Sequence, residues 1–393
     1  PARAKFERVK RQSFAAAFLA FALQGCVSAP PPAPPPPREL EGKAALAERV
    51  DLALEWLLAH QSSDGRWDCD GFASVCQARG AAPCDGPGQS SNDVATTSLA
   101  VLAILECEGQ QHDARFKDAV ERGVRWLVSQ QRSDGRVGEQ DGAFALYNHA
   151  LATCAMAETY LRAKPFLLRF PAQKAVTFAQ AARNPGKAWR YAAPPNGEND
   201  TSVTGWMVLA LDTARRAGLR VDAAAFDGAR AWFDEVTDPQ TGRCGYTERG
   251  SGSSRVARVN EHFPPHSGEA LTAISLGARA RWGELAANPA LVERQLALLS
   301  AKPPLWDESG ERNDLYAWFF TARALRAAAD DAAWSAWGRA LASSAAQAQA
   351  ASGEVAGSVA PLDPWGFAGG RMYSTALFAL CAEEFAERAV EGL

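Results

Sequence analysis

The chain reads Gln61-Ser-Ser-Asp-Gly-Arg-Trp67 and, further along, Gln131-Arg-Ser-Asp-Gly-Arg-Val-Gly138. Weaker copies of the same loop phrase begin at Asn184, Asp238 and Lys302. Each copy follows an amphipathic stretch and precedes an apolar stretch that is rich in small residues. A repeat of roughly 50–65 residues is too long for one helical hairpin of the usual solenoid families. The pattern predicts an outer helix, a glycine-containing turn and an inner helix, repeated around a ring.

Hydrophobic periodicity predicts six such hairpins. The predicted outer helices are residues 46–59, 114–130, 173–182, 223–236, 289–300 and 332–350. The predicted inner helices are residues 93–106, 146–161, 201–214, 268–280, 314–328 and 374–387. The inner stretches are apolar nearly all round, as expected for helices that lie between neighbours and an interior. We therefore expect an all-α fold, an (α/α)6 toroid that forms one domain over residues 44–393.

Composition excludes some functions and says little about others. A net charge of −4, with no basic cluster in the body of the chain, gives no electrostatic case for a nucleic-acid partner. A hydrophobic content of 47% is ample for a large core. The sequence does not indicate an oligomeric state.

Residues 1–26 have the pattern of a signal peptide. Basic residues from Lys5 to Arg11 precede an apolar stretch, Ser13 to Leu23, that is too short to span a bilayer as a helix. It ends in Leu23-Gln24-Gly25-Cys26, which resembles a bacterial lipobox, so we predict lipidation of Cys26. Residues 27–43 are proline-rich and would tether the domain to a lipid bilayer. This predicts an exported bacterial lipoprotein, in the outer membrane and facing the periplasm or the cell surface; a secretory peptide cleaved elsewhere is the alternative.

Three cysteines crowd one insertion, residues 68–88: Cys69, Cys76 and Cys84. Eight cysteines in the chain fit an oxidising compartment, so we expect a disulfide in this insertion, with one cysteine left for another partner. The sequence argues against a metal site, because the insertion has no Cys-x-x-Cys pair and no nearby histidine. No cofactor is evident.

Two inner-helix openings carry a family resemblance. They read Asp200-Thr-Ser-Val-Thr-Gly-Trp-Met-Val-Leu-Ala-Leu211 and Gly370-Arg-Met-Tyr-Ser-Thr-Ala-Leu-Phe-Ala-Leu380. They resemble bacterial prenyltransferase/squalene-oxidase-repeat proteins, and the loop phrases resemble the Gln–Trp repeats of the squalene-cyclase and protein-prenyltransferase superfamily of α/α toroids. The resemblance covers nearly all of residues 44–388 and implies the same ring of helices.

The family's best-known chemistry is not implied. Class II terpene cyclases protonate an alkene with an Asp-x-Asp-Asp motif, and protein prenyltransferases hold zinc through an Asp-x-Cys pair and a distant histidine. Neither motif occurs here; Asp68-Cys-Asp70 comes closest. The sequence therefore leaves it uncertain whether the protein is an enzyme.

Polar and aromatic residues recur at the starts of the predicted inner helices, which in such a toroid meet at one end of the cavity. The candidate acid–base groups are Asp93, His149, Asp200, Asp314 and Tyr373. The candidate ligand contacts are Asn148, Trp206, His266, Tyr316, Trp318 and Arg371. Converging helix N-termini and an arginine would favour a phosphate or carboxylate, and an aromatic wall would suit an isoprenoid or a sugar ring. The aspartates are also typical helix caps, and a single buried histidine is most often a core residue.

Three functions stay open at this point. The first is binding of an amphipathic ligand, such as an isoprenoid or lipid phosphate, in the central cavity, with or without catalysis. The second is a non-catalytic protein-binding scaffold of the cell envelope. The third is a polysaccharide lyase or hydrolase, since unrelated toroids cleave glycans. An open cavity would favour a ligand, and a cavity filled by side chains would favour the scaffold.

Overall fold

The computed structural model describes residues 37–386 apart from 108–112, 140, 329 and 330, and describes side chains from residue 45 onward. The predicted signal peptide, the lipidated Cys26 and most of the predicted tether lie outside the described residues. Within them, β-type pairing is confined to three isolated β-bridges. None of the described helices is both long and apolar enough to cross a membrane.

The described chain forms thirteen α-helices. In chain order they are α1 (Pro37–Ala59), α2 (Ala73–Ala78), α3 (Asp93–Glu106), α4 (Ala114–Ser129), α5 (Ala145–Ala163), α6 (Arg169–Ala181), α7 (Thr201–Arg216), α8 (Ala223–Val236), α9 (Ala270–Arg281), α10 (Pro289–Ser300), α11 (Leu315–Ala328), α12 (Asp331–Ala348) and α13 (Gly366–Glu383). The short α2 lies in the cysteine-containing insertion.

The helices form two concentric rings. The odd-numbered helices from α3 to α13 are the inner ring: each packs against the next, and α13 packs against α3. Helices α1, α4, α6, α8, α10 and α12 pack on the outside, and α12 contacts α1. The predicted all-α toroid of six hairpins is confirmed.

Two helix starts differ most from the sequence expectation. Helix α1 begins at Pro37, inside the segment that the sequence assigns to the tether. Helix α13 begins at Gly366 instead of residue 374, with a kink at Gly370 (φ 60°, ψ −162°). The sequence does not predict the start of α13 before residue 374, because this stretch contains three glycines and glycine is a poor helix former. The kink of α13 is held by the insertion, because the Arg371 N–H donates to the Gly86 carbonyl (2.8 Å) and a side chain at Gly370 would collide with Gly88.

The glutamine that opens each full loop phrase joins two outer helices. Gln61 Nε2 donates to the Gly65 carbonyl in its own turn (2.8 Å) and to the Ala119 carbonyl in α4 (2.9 Å). Gln131 Nε2 donates in the same way to Gly135 (3.2 Å) and to Pro171 in α6 (2.9 Å). The loop phrase is therefore a clamp between successive hairpins.

A further copy of this clamp closes the outer ring. Gln349 Nε2, just after α12, donates to the Gly357 carbonyl (2.7 Å) and to the Arg49 carbonyl in α1 (2.8 Å). The sequence does not reveal this copy, because residues 349–357 lack the Asp-Gly pair of the first two. The same interaction thus joins the last outer helix to the first.

The glycine and the tryptophan of the phrase have separate roles. Gly65 has φ +98°, and a Cβ there would lie 2.7 Å from the Arg122 carbonyl oxygen of α4. Trp67 is fully buried, and its Nε1 donates to the Leu57 carbonyl at the end of α1 (2.7 Å). Trp189 repeats this contact with the Ala179 carbonyl of α6 (2.7 Å). The aromatic ring thus folds back on the helix before it.

We expect Gly65→Ala to lower the free energy of unfolding by about 2–5 kcal/mol, since it adds a clash with α4 to the cost of a left-handed backbone. The matched control is Gly186→Ala, where φ is +70° and no atom lies within 4 Å of the added Cβ. The control should cost only about 1–2 kcal/mol. Urea unfolding of both variants measures the difference, and equal losses would show that the close approach contributes nothing.

Candidate functional site

A cavity of about 90 Å³ lies among the N-terminal halves of the inner helices. Its lining is mostly aromatic and aliphatic, and consists of Asn92, Ala95, Thr96, Leu99, Phe144, Tyr147, Leu151, Ser202, Trp206, Tyr316, Trp365, Ala368, Gly369 and Tyr373. Because the inner helices are parallel, residues far apart in sequence meet here. The sequence predicts that all six inner helices meet here, whereas five contribute to the lining and α9 does not.

The lining divides into a floor and a mouth. Leu99, Leu151 and Trp206 are buried and lie deep, and Trp206 stacks on Phe319 with ring centroids 5.2 Å apart. Phe144, Tyr147, Trp365 and Tyr373 are partly exposed and mark the mouth. Sequence reasoning missed Phe144 and Trp365, although each directly precedes an inner helix.

Asparagine side chains hold the mouth in place. Asn148 Oδ1 accepts from the Ala95 N–H (2.9 Å), and Asn148 Nδ2 donates to the Ser91 carbonyl (2.9 Å), so this α5 residue fixes the start of α3. Asn92 Nδ2 donates to the Ala368 carbonyl of α13 (2.9 Å). Asn148 therefore positions the site without lining the cavity.

Five of the six tyrosines in the chain gather at this end of the ring. Tyr147, Tyr316 and Tyr373 line the cavity, and Tyr191 and Tyr246 lie behind Tyr147. The Tyr316 hydroxyl is 2.8 Å from Ser202 Oγ. These hydroxyls give an otherwise apolar cavity a polar edge.

Asp200 is the buried acid behind these tyrosines. Its Oδ1 accepts from the Val203 N–H (2.7 Å), which caps α7, and its Oδ2 accepts from the Tyr246 hydroxyl (3.3 Å). Burial raises the pKa of Asp200 to about 7, against hydrogen bonds that lower it. The Tyr246 hydroxyl contacts that of Tyr191, whose ring packs against that of Tyr147 with centroids 6.3 Å apart. Hydrogen bonds thus connect the Asp200 carboxyl to Tyr246 and Tyr191, which lie behind the cavity.

Two further buried acids, Asp314 and Asp363, lie near Tyr373. Asp314 accepts from the Ala317 N–H (2.9 Å) and caps α11, and Asp363 accepts from the Leu315 (3.2 Å) and Trp365 (3.0 Å) N–H groups. Burial, and to a smaller extent the charge of Asp314, raises the pKa of Asp363 to about 7. Burial, followed by these two carboxylates, also raises the pKa of Tyr373 well above its ordinary value. Asp314 therefore caps a helix and does not reach the cavity lining.

Two sequence candidates lie away from the cavity with their polar atoms engaged. His149 is fully buried: its Nδ1 accepts from the Val137 N–H (3.1 Å), and its Nε2 lies 3.2 Å from the Ala175 carbonyl. Burial lowers its pKa to about 3. Arg371 forms an ion pair with Asp85 in the insertion and donates to Ser358 Oγ (3.1 Å), so its guanidinium already has partners within the protein. Neither side chain is therefore placed to act on a ligand in the cavity as an acid–base group or an anion donor.

Three more candidates are also outside the lining. Asp93 accepts from the Cys69 N–H (2.8 Å) and pairs with Arg66 (3.4 Å); burial raises its pKa to about 6. His266 is exposed in the loop before α9. Trp318 packs against Trp306, with ring centroids 6.5 Å apart. The structure thus brings Trp206, Tyr316 and Tyr373 together at the cavity and places Asp200 behind them.

The opposite end of the ring is charged. The C-terminal ends of the inner helices surround a pocket of about 560 Å³ whose lining includes Arg162, Arg216, Arg281, Arg323, Arg326, Glu106, Glu158, Asp212, Glu383 and Glu384. Most of these charges are paired, for example Arg323 with Glu106. The interior is therefore polarised from an aromatic end to a charged one.

Comparisons with known proteins agree with this architecture. The family model described as the squalene-hopene cyclase C-terminal domain matches residues 40–150. The type II terpene cyclase MstE from Scytonema superposes with a TM-score of 0.54 at 13% identity, over 87% of this chain and 97% of that one. No curated protein matches the chain.

Toroidal glycosidases are similar in fold as well. The GH76A α-1,6-mannanase from Salegentibacter sp. HEL1_6 gives a TM-score of 0.57 at 11% identity, over 86% of this chain and 98% of that one. An α-amylase from Clostridium perfringens gives 0.54 at 9% identity, over 87% and 98%. At such identities these structures establish the fold alone. The fold is that of an α/α toroid, and the family match over residues 40–150 agrees with the resemblance to the squalene-cyclase and protein-prenyltransferase superfamily.

We expect the stability of the protein to depend on the protonation of Asp200. Its folded pKa of about 7 lies above the ordinary value of 3.8, so the folded state keeps a proton that the unfolded state loses between these values. Stability should therefore fall as the pH rises through this window, by up to about 1.4 kcal/mol per unit. Asp200→Asn removes this penalty. The free energy of unfolding of the variant, relative to that of the wild type, should therefore be about 2–3 kcal/mol higher at pH 8 than at pH 5.

Urea unfolding at the two pH values measures this gain. Asp222→Asn is the control, because Asp222 caps α8 at an exposed position by accepting from the Ala224 N–H (2.9 Å). A difference between Asp200→Asn and the wild type that is the same at both pH values would contradict the assignment.

Proposed function

We propose that the toroid binds the hydrocarbon end of an amphipathic ligand, such as an isoprenoid lipid, in the aromatic cavity. The observation that carries this proposal is the lining itself: no charged side chain is among the lining residues in the described part of the chain. Ring faces and aliphatic groups favour an apolar chain, because burying apolar surface stabilises the complex.

The size of the cavity limits what enters it. At about 90 Å³ it is smaller than the roughly 150 Å³ engineered cavity that accommodates benzene. Only the end of a hydrocarbon chain fits unless side chains at the mouth move. Phe144, Tyr147 and Trp365 are partly exposed there and are the groups that would have to move.

The polar end of the ligand would lie at the mouth. The polar groups of the lining are neutral, namely the Asn92 amide and the hydroxyls of Thr96, Tyr147, Ser202, Tyr316 and Tyr373. Since Arg371 is paired with Asp85, the mouth offers little to a phosphate. A neutral headgroup, such as that of an isoprenoid alcohol, therefore fits the site better than a lipid phosphate.

The structural neighbours supply two candidate chemistries. A variant of the Scytonema cyclase was solved with geranylgeranyl dihydroxybenzoate as substrate, which supports a prenyl ligand here. A variant of the Salegentibacter mannanase was solved with α-1,6-mannotriose. Glycoside hydrolysis uses two carboxylates that flank the bond, and no carboxylate lines the aromatic cavity among the described residues. The prenyl class is therefore the better supported.

The cellular setting is part of the proposal. A lipid anchor on Cys26 would hold the toroid beside a bilayer, where isoprenoid lipids are found, and outer-membrane location follows from the same prediction. The open cavity favours ligand binding over a scaffold role, for which a filled interior would suffice.

Binding of geranylgeraniol to the full chain tests the proposal. We expect it to change the fluorescence of the cavity tryptophans, Trp206 and Trp365, and to raise the melting temperature. Ala95→Leu should weaken this binding at least about tenfold, since it fills a cavity whose volume is near that of a few methylenes. Ala301→Leu makes the same change at an exposed site and should bind like the wild type.

Geranylgeranyl phosphate distinguishes the headgroups, and we expect it to bind more weakly than the alcohol. Binding of neither prenyl compound, or binding that Ala95→Leu leaves unchanged, would contradict a prenyl ligand in this cavity.

A further inference from the structure

We propose that His60, Cys76 and Cys84 form a zinc site that fixes the cysteine-containing insertion to the end of α1. The three residues come from different parts of the chain: His60 follows α1, Cys76 lies in α2, and Cys84 lies in the loop after it. The site is separate from the cavity, since none of the three lines it.

The three ligand atoms face one another. His60 Nε2 lies 3.1 Å from Cys76 Sγ and 3.3 Å from Cys84 Sγ, and the two sulfurs are 3.1 Å apart. Zn–S bonds of about 2.3 Å and Zn–N bonds of about 2.0 Å place tetrahedral ligand atoms roughly 3.5–3.8 Å apart. The three atoms would therefore have to move apart by about half an ångström to bind the ion. Thiolate and imidazole ligands in this geometry favour Zn²⁺ over hard cations such as Mg²⁺ or Ca²⁺.

The histidine is already oriented as a metal ligand. Its Nδ1 lies 2.7 Å from the Trp56 carbonyl, which fixes the tautomer with the proton on Nδ1 and leaves the Nε2 lone pair pointing at the sulfurs. A second hydrogen bond of this kind is typical of zinc-binding histidines. Trp56 also stacks on the ring (centroids 4.1 Å apart), and Phe72 packs against its edge, so the group has a rigid apolar surround.

The burial of all three side chains favours a metal over a disulfide. His60, Cys76 and Cys84 are 4%, 2% and 7% exposed. A Cys76–Cys84 disulfide would remove the S–H donors that face His60 Nε2 and leave a buried acceptor without a partner. Zinc uses all three atoms, and the two thiols release two protons when it binds. The fourth zinc ligand would be water or the Glu354 carbonyl oxygen, which lies 3.4 Å from Cys84 Sγ.

This proposal replaces two expectations from the sequence, a disulfide in the insertion and the absence of a metal site. The insertion itself contains no histidine, whereas the fold brings in His60 from the end of α1.

A zinc here would also support the cavity indirectly. Asp85 and Gly86, directly after Cys84, hold Arg371 and the kink of α13, whose first turns line the mouth.

Metal content and intact mass of the full chain test the proposal. The protein is produced with zinc in the medium, purified without chelators, and analysed by inductively coupled plasma and denaturing mass spectrometry. We expect one zinc per chain and a mass with both thiols reduced. His60→Gln, Cys76→Ser and Cys84→Ser should each reduce the zinc content at least about tenfold.

Cys69→Ser is the matched control: it alters a buried cysteine of the same insertion, whose thiol donates to the Ala368 carbonyl (3.4 Å), and it should keep its zinc. Cobalt substituted into the wild type should show thiolate charge-transfer absorption that Cys76→Ser loses. A mass two hydrogens lower with a Cys76–Cys84 cross-linked peptide would overturn the proposal in favour of a disulfide. Free thiols without zinc, or zinc that survives all three substitutions, would overturn it as well, and the wild-type results decide even where a variant fails to fold.

Discussion

The side-chain amide of one glutamine per clamp is the interaction on which the ring depends. Gln61, Gln131 and Gln349 each donate to a carbonyl in their own turn and to a carbonyl in the next outer helix. The amide satisfies a turn carbonyl that would otherwise lack a donor and adds a second hydrogen bond to a helix carbonyl, so it fixes the spacing of neighbouring hairpins. Gln349 makes the arrangement circular, because its partner lies in α1.

The closed ring determines where chemistry is possible. Parallel inner helices bring their N-terminal halves together, which gathers tyrosines and tryptophans from α5, α7, α11 and α13 around one small cavity. The aspartates at these helix starts mostly serve as caps, and Asp200 also accepts from the Tyr246 hydroxyl, which contacts that of Tyr191 behind the cavity. The insertion covers the same end and holds the start of α13, so the proposed zinc and the cavity belong to one structural unit.

Much of the fold was predictable, because apolar faces and glycine turns are local signals: five of the loop phrases and all six hairpins follow from them. The partners of individual side chains were not. Arg371 pairs with Asp85, which lies 286 positions away, and His60 reaches Cys84 only because α2 folds back on α1. His149 was chosen by residue type, yet an imidazole is as well satisfied by two backbone groups as by a ligand. Cavity residues such as Trp206 were predictable because they follow the helix starts.

Ring closure by Gln349 is the central claim, and the stability of Gln349→Leu tests it most directly. The matched control is Gln347→Leu, two residues earlier on α12 and exposed. We predict that Gln349→Leu lowers the free energy of unfolding by about 1–3 kcal/mol and speeds amide exchange in both α1 and α12, because the Gly357 carbonyl loses its donor and the link to α1 is removed. The control should resemble the wild type. A Gln349→Leu variant as stable as the control, or faster exchange confined to α12, would show that the ring does not depend on this contact.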